Sequence, residues 1–354
     1  MANIGNEAGH FFQTDADLAK QQEKAKKYNY TAGDALKMSS KVLALQVSSG
    51  KKYCYVAESG FTAKKINLET GNPVKVFKGH SGPVTSLCLT SDEQTLFTGS
   101  WDKTIKVWDV KTGECVKTLV GHTDFVKVIV LVGKYLFSGS ADSHIQQWDI
   151  QTGECVRDLK AHSRSVECLA VSEDGQSLFS ASSDRTIRKW NTATGQVDKV
   201  YEGHETNVFA LTVWDDEMWT ASADKTVKRW NVETAECDTT LVHSDTVKCL
   251  AIAGPYIITG SSDDKITIWD IASGKQQCII DSHFDEVSCM CVVGSTLYTG
   301  SLDCSVRKWP ITAQALKEYA EAAKKKPVAK EEVADSGLTE EEERELAELM
   351  SDSE

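Results

Sequence analysis

The stretch Thr98-Gly99-Ser100-Trp101-Asp102-Lys103-Thr104-Ile105-Lys106-Val107-Trp108-Asp109 decides the fold, because its spacing of aspartate and tryptophan returns down the chain. After Trp108 come Trp148, Trp190, Trp230, Trp269 and Trp309, at steps of 40, 42, 40, 39 and 40 residues. Six residues ahead of each stands an aspartate: Asp102, Asp142, Asp184, Asp224, Asp263 and Asp303. Histidines keep the same beat at His80, His122, His162, His204, His243 and His283, leaving only His10 and His144 outside. Three series locked to one period near forty are the mark of a stacked repeat.

Within a unit the residues read as four short strands with turns between them. After His80 these are Val84–Leu89, Thr95–Ser100, Thr104–Val110 and Glu114–Val120, with tight turns at Trp101–Lys103 and Thr112–Gly113. A worn seventh unit comes first, with strands at Val42–Val47, Lys52–Glu58, Thr62–Leu68 and Pro73–Phe77. Setting Phe61 against Asp102 places Asn67 where the tryptophan would stand. One unit alone has too little apolar surface to be stable, whereas adjacent units bury their faces against each other.

Gly79-His80, Thr98-Gly99-Ser100, Asp102 and Trp108-Asp109 closely resemble the WD40 repeat family, as do Gly121-His122 with Trp148-Asp149, and Trp269-Asp270. The signature relaxes to Trp190-Asn191, Trp230-Asn231 and Trp309-Pro310, and its glycine is replaced in Ala161-His162, Val242-His243 and Ser282-His283. The resemblance covers residues 41–312 and implies an all-β, seven-bladed β-propeller. It also implies that the outer strand missing from the last blade comes from the other end of the chain, within 28–36. The domain division is then 1–27 as an extension, 28–312 as the propeller and 313–354 as a tail. A ring closed in this way leaves no long sheet edge to template aggregation.

Repeated Ser/Thr, His and Asp invite a hydrolase reading, since those residue types make a nucleophilic triad. Six copies at one structural place argue against catalysis. The resemblance implies instead a buried network in each unit, from tryptophan through Thr98, Ser138, Ser180, Thr220, Thr259 or Thr299 and the histidine to the aspartate. Phosphate-loop, dinucleotide, nucleophile-elbow and H-E-x-x-H patterns are absent from the sequence. The eleven cysteines show neither a CxxC pair nor zinc-ligand spacing with histidine. Those within the repeats, Cys115, Cys155, Cys237 and Cys278 on one strand and Cys88, Cys168, Cys249 and Cys289 on another, read as small buried hydrophobes in a reducing compartment. No enzyme activity, cofactor, metal or small-molecule substrate is expected.

Family propellers bind peptides or domains on the face around the narrow end of the channel. By resemblance its lining includes the residue before each turn aspartate and those three and five after each histidine. Polar residues are ordinary at such places, so Trp101, Phe125, Phe209 and Leu302 stand out as either a contact patch or packing between blades. Lys127, Glu167 and Lys248 share the rim with them. Proteins are therefore the expected partners of an interaction scaffold or recognition subunit. Net charge is −13, from 39 basic and 52 acidic residues. That balance disfavours DNA, which needs a basic stripe, and leaves RNA only a local patch near Lys127, Arg188, Lys189 and Lys248. Neither a signal peptide nor a membrane-spanning apolar run is legible, so a cytoplasmic or nuclear location is expected.

Two extensions flank the repeats. Asp15–Lys27 reads as a short helix with a thin apolar face, and Gln314–Ala323 as another before the basic run Lys324-Lys325-Lys326. Near the end, Thr339 and Glu342 form a capping box ahead of the apolar stripe Leu346, Leu349 and Met350. That stripe could dock on a partner or pack against the propeller; Ser351 and Ser353 resemble acidophilic-kinase sites.

Overall fold

Alternation of apolar and polar residues resolves into antiparallel strands grouped as seven four-stranded sheets. The structure, a computed structural model, describes residues 33–281 and 283–325. The helix expected over Asp15–Lys27 and the capping box with Leu346, Leu349 and Met350 lie outside the described residues. Blades 1 to 6 occupy residues 42–78, 84–120, 126–160, 166–201, 208–242 and 247–281. Blade 7 takes three strands from 287–310 and its outer strand from Leu36–Lys37. The first strand of every blade touches those of both neighbours, and the circle closes between blades 7 and 1.

Each blade buries its second strand almost completely, as in Thr95–Ser100 and Glu217–Ser222. Alternate side chains of that strand pack against the two neighbouring blades, so core residues come from two sheets at a time. Leu136 and Trp148 of blade 3, for example, share a cluster with Phe97 and Ile105 of blade 2. Approach is close enough that a Cβ on Gly99 would lie 2.7 Å from Val126 Cγ1 of the next blade. A bulge recurs between first and second strands, at Val84/Ser86 and at its counterparts in every other blade. Bulges of this kind bend a strand and raise its twist.

Closure rests on Leu36 opposite Val306 and Lys37 opposite Ser305, antiparallel to the third strand of blade 7. Met38 N–H donates to Cys304 O and Lys308 N–H to Gly33 O, each at 2.8 Å. Gly33 has φ +79° and its Cα faces the Trp309 ring so closely that a Cβ would lie 2.6 Å from it. The closing strand thus meets the stretch 28–36 only at Leu36, and ends one residue beyond it.

Beyond blade 7 the helix Ala313–Lys325 is capped by Thr312, whose hydroxyl accepts the Ala315 N–H at 3.2 Å. Leu316 is buried with Ile268, Cys278 and Ile280 of blade 6, and Tyr319 meets Trp309 edge-on. This helix explains a correction. Cys278 lies beneath it and is buried, whereas Cys115, Cys155 and Cys237, expected to be buried, are exposed on outer strands with solvent on one side.

Registers also correct the reading of blade 1. Tyr53 pairs with Asn67 as Thr95 pairs with Asp109. Asn67 therefore stands at the place of Asp109, Ile66 at that of Trp108, and Gly60 at that of Asp102. Asn67 Oδ1 accepts the N–H groups of Glu69 and Thr70, as Asp109 Oδ1 does for Lys111 and Thr112.

Candidate functional site

In blade 2, Trp108 Nε1–H donates to Thr98 Oγ1 at 2.8 Å, Thr98 Oγ1 meets His80 Nε2 at 2.8 Å, and His80 Nδ1 meets Asp102 Oδ2 at 2.7 Å. A carboxylate only accepts, so the proton belongs on Nδ1, and Nε2 receives the threonine hydroxyl. Asp102 also takes the Ser81 N–H and both donors of Thr104, which ties the linker and the tight turn together. The same chain joins His122 to Asp142 (2.9 Å), His162 to Asp184 (2.8 Å), His204 to Asp224 (2.7 Å) and His283 to Asp303 (2.8 Å). Trp148, Trp190, Trp230 and Trp309 donate to the hydroxyls of Ser138, Ser180, Thr220 and Thr299.

Burial works against the carboxylates of Asp102, Asp142, Asp184 and Asp224. Hydrogen bonds from the histidines and turn residues outweigh it and hold all four well below the usual carboxylate range. The would-be nucleophile Thr98 is fully buried and already engaged on both sides. Such an arrangement stiffens a turn; it offers no reacting atom to a substrate.

Blade 6 departs from the expected six copies. His243 is not bonded to Asp263: its Nε2 is buried without a partner, and burial lowers its pKa to about 4. Asp263 is bonded by the Ser244 hydroxyl at 2.6 Å and by Ser261 instead. The cause is one missing residue. His80, His122, His162, His204 and His283 each follow an inward residue of the preceding outer strand by three positions, but His243 follows Leu241 by two. Its N–H consequently donates to Lys225 O at 2.8 Å, one more rung of the blade 5 ladder, and its ring stops short of the aspartate.

Blade 1 supplies the carboxylate by another route. Glu58, fully buried where Ser100 stands in blade 2, accepts the Ser39 N–H, the Ser39 and Thr62 hydroxyls, and Lys64 Nζ at 2.7 Å. Sequence reasoning missed this residue; an acidic residue ending a strand that is otherwise apolar was its signal.

The turns bearing these aspartates gather on one end of the propeller with the linkers that bear the histidines. There Trp101 is 42% exposed and Phe125 37%, and their rings stack at 5.0 Å with 15° between planes. The stack joins the blade 2 turn to the linker that enters blade 3 and leaves each ring partly exposed. Phe209 is half-buried beneath Lys248 Nζ, 4.2 Å from its ring centroid, and Leu302 is half-buried. Lys127 pairs with Glu167 at 3.5 Å and Lys248 with Glu286 at 3.6 Å. Ser183 and Ser262 hold those glutamates by their hydroxyls. Two lining residues join blades: Thr85 donates to Val126 O and Ser288 to Val42 O, each at 2.6 Å. Lys189 binds Glu233 at the other end, so the four basic residues named above do not form one patch.

Among the described residues no His/Cys/Asp/Glu group could hold a metal, and no helix is long and apolar enough to cross a membrane.

Comparison with known proteins gives a match to the family model "WD domain, G-beta repeat" at residues 71–109, 113–149, 153–191, 195–231, 235–270 and 274–310. An uncharacterized WD repeat-containing protein of Schizosaccharomyces pombe is 37% identical over 36% of this chain and 37% of its own length. F-box/WD repeat-containing protein 10 of Mus musculus is 48% identical over 13% of this chain and 4% of its own length. A probable E3 ubiquitin ligase complex SCF subunit, scon-2, of Neurospora crassa is 51% identical over 13% of this chain and 7% of its own. The chain thus spans well under two thirds of each relative.

Proposed function

The chain belongs to the WD40 repeat family, whose propellers typically serve as non-catalytic protein-interaction scaffolds, and we propose that it is a recognition subunit of a multiprotein complex. It holds a partner peptide or domain on the rim that carries Trp101. One observation supports this most: Trp101 stacked on Phe125 in water, on turns that neither ring is needed to form. Two large aromatic faces left in solvent are a contact anchor of the kind that dominates interfaces. Phe209, Leu302 and the pairs Lys127–Glu167 and Lys248–Glu286 would frame it with apolar and polar contacts. Leu346, Leu349 and Met350 would serve as a second docking element.

Some relatives carry F-box or ubiquitin-ligase names, but they share only short stretches with this chain, so the partner is not taken from them. RNA is disfavoured because Lys127 and Lys248 are each paired with a glutamate. Affinity purification of the tagged wild-type chain beside Trp101→Ala tests the reading. Specific partners should be lost from the variant while its thermal unfolding stays unchanged. Full recovery of every partner by a folded variant would sink it.

A further inference from the structure

We propose a second docking site on the opposite end of the propeller, built around Trp214, for a peptide segment that presents a basic side chain next to an aliphatic one.

Trp101 lies on a turn between second and third strands, whereas Trp214 closes the first strand of blade 5, so the two sit at opposite ends of the sheets. Trp214 is 65% exposed. It forms a ridge between two hollows: one of roughly 800 Å³ toward blade 4, and one of roughly 500 Å³ toward blade 6. The second is floored by Ile252, Pro255 and Ile271, with Trp219 in its wall. Trp219 is fully buried and its indole N–H has no partner.

Charge around the ridge is mostly acidic, with Lys189 the one cation lining either hollow. Asp215 and Asp216 line both hollows and Glu173 lines the larger. The nearby cations are already paired: Lys189 with Glu233 in the larger hollow, and Arg229 with Asp238 and with Glu217 of the smaller. Among the described residues no cation lies within ion-pair distance of Glu173, Asp215 or Asp216. A cation arriving over the Trp214 ring would meet the negative face of the indole and these carboxylates together. A phosphate would be repelled by the same charges. The aliphatic neighbour would cover Ile252 and Ile271.

The turn itself departs from its equivalents. Blades 3, 6 and 7 join the same strands through Gly133, Gly254 and Gly294, at φ +56°, +57° and +62°. Blade 5 holds Asp215 at φ +50° in that place. Aspartate tolerates the left-handed region less well than glycine, so backbone ease is given up to set a carboxylate beside an exposed tryptophan. The strand residue before it is Val132, Ala253 or Val293 in those blades and Trp214 here.

The test uses the full chain and short fluorescent peptides carrying an arginine two positions before an isoleucine. Control peptides replace the arginine by glutamate or the isoleucine by glycine. Anisotropy should show the arginine–isoleucine peptide binding about tenfold tighter than the glutamate control, and weakening as salt rises. Trp214→Ala and the pair Asp215→Asn with Asp216→Asn should each lower affinity about tenfold, while Trp101→Ala leaves it unchanged. Thermal unfolding checks each variant, and the asparagine pair, which keeps shape and removes charge, decides alone if Trp214→Ala loses its fold. Equal binding of the glutamate control, or undiminished affinity in the asparagine pair, overturns the proposal. So does a loss confined to Trp101→Ala, which would put the peptide on the other end.

Discussion

In blade 5, His204 reaches Asp224 at 2.7 Å; in blade 6, His243 lies the same 20 residues ahead of Asp263 and does not reach it. Both blades have the hydroxyl and the tryptophan as well, with Trp230 bonded to Thr220 at 2.8 Å and Trp269 to Thr259 at 3.3 Å. Residue types therefore do not make the network. What makes it is the count of residues between the preceding outer strand and the histidine, because that count decides where the ring arrives. Blade 1 completes the lesson from the other side. There histidine, turn aspartate and tryptophan are all gone, yet Glu58 brings a carboxylate to the same turn donors. The carboxylate is the member common to all seven blades.

Substitutions can break or sharpen this contrast. Glu58→Ala should be the most damaging, by about 3–5 kcal/mol, because it strands a mostly buried Lys64 beside unpaired donors. Chemical denaturation would measure it, and adding Lys64→Met should restore part of the loss. Asp224→Ala should lower stability by about 1–3 kcal/mol, through buried partners left unsatisfied, and Asp263→Ala by distinctly less. Equal losses in the two would remove the distinction between the blades.

Acid should separate them as well. The folded pKa of His243 is about 4, below its unfolded value near 6.5, so only the unfolded chain takes up a proton between these values. Stability is fully present above about pH 6.5 and is lost as pH falls toward 4; His243→Gln should spare about 1–2 kcal/mol of that loss by pH 5. The depressed carboxyls of Asp102, Asp142, Asp184 and Asp224 act lower down, stabilising above about pH 4 and losing that contribution as pH falls further. Smallest of all is a gain. A glycine inserted between Val242 and His243 restores the spacing found in the other linkers and should add about 1 kcal/mol by closing the network. Ring-nitrogen chemical shifts would report whether His243 has reached Asp263.

Most of the ring was legible because one beat of histidine, aspartate and tryptophan repeats through 80–309. The rest failed for local reasons. The 39-residue step from Trp230 to Trp269 recorded the missing residue, but a spacing does not say which bond it breaks. Setting Phe61 against Asp102 puts blade 1 one residue out of register, because Phe61 occupies the place of Lys103, with φ +67° against +70°. Cys115 and Cys278 sit on corresponding strands but in different registers, Cys115 opposite Trp108 and Cys278 opposite Ile268, where Leu316 covers it. At the rim the sequence singled out Trp101 and Phe125 as separate residues from different units. Their stacking depends on how adjacent blades pack, which no single repeat contains.

The pairing of Leu36 with Val306 has a consequence in time. A ribosome finishes blades 1 to 6 one after another, and each can complete its own sheet from strands made within the same few dozen residues. The seventh cannot, because its outer strand is made first and must stay unused until the last repeat emerges. Through most of synthesis the chain is therefore an open arc, with one flank of blade 1 bare and the earliest strand unpaired until blade 7 arrives to cover both.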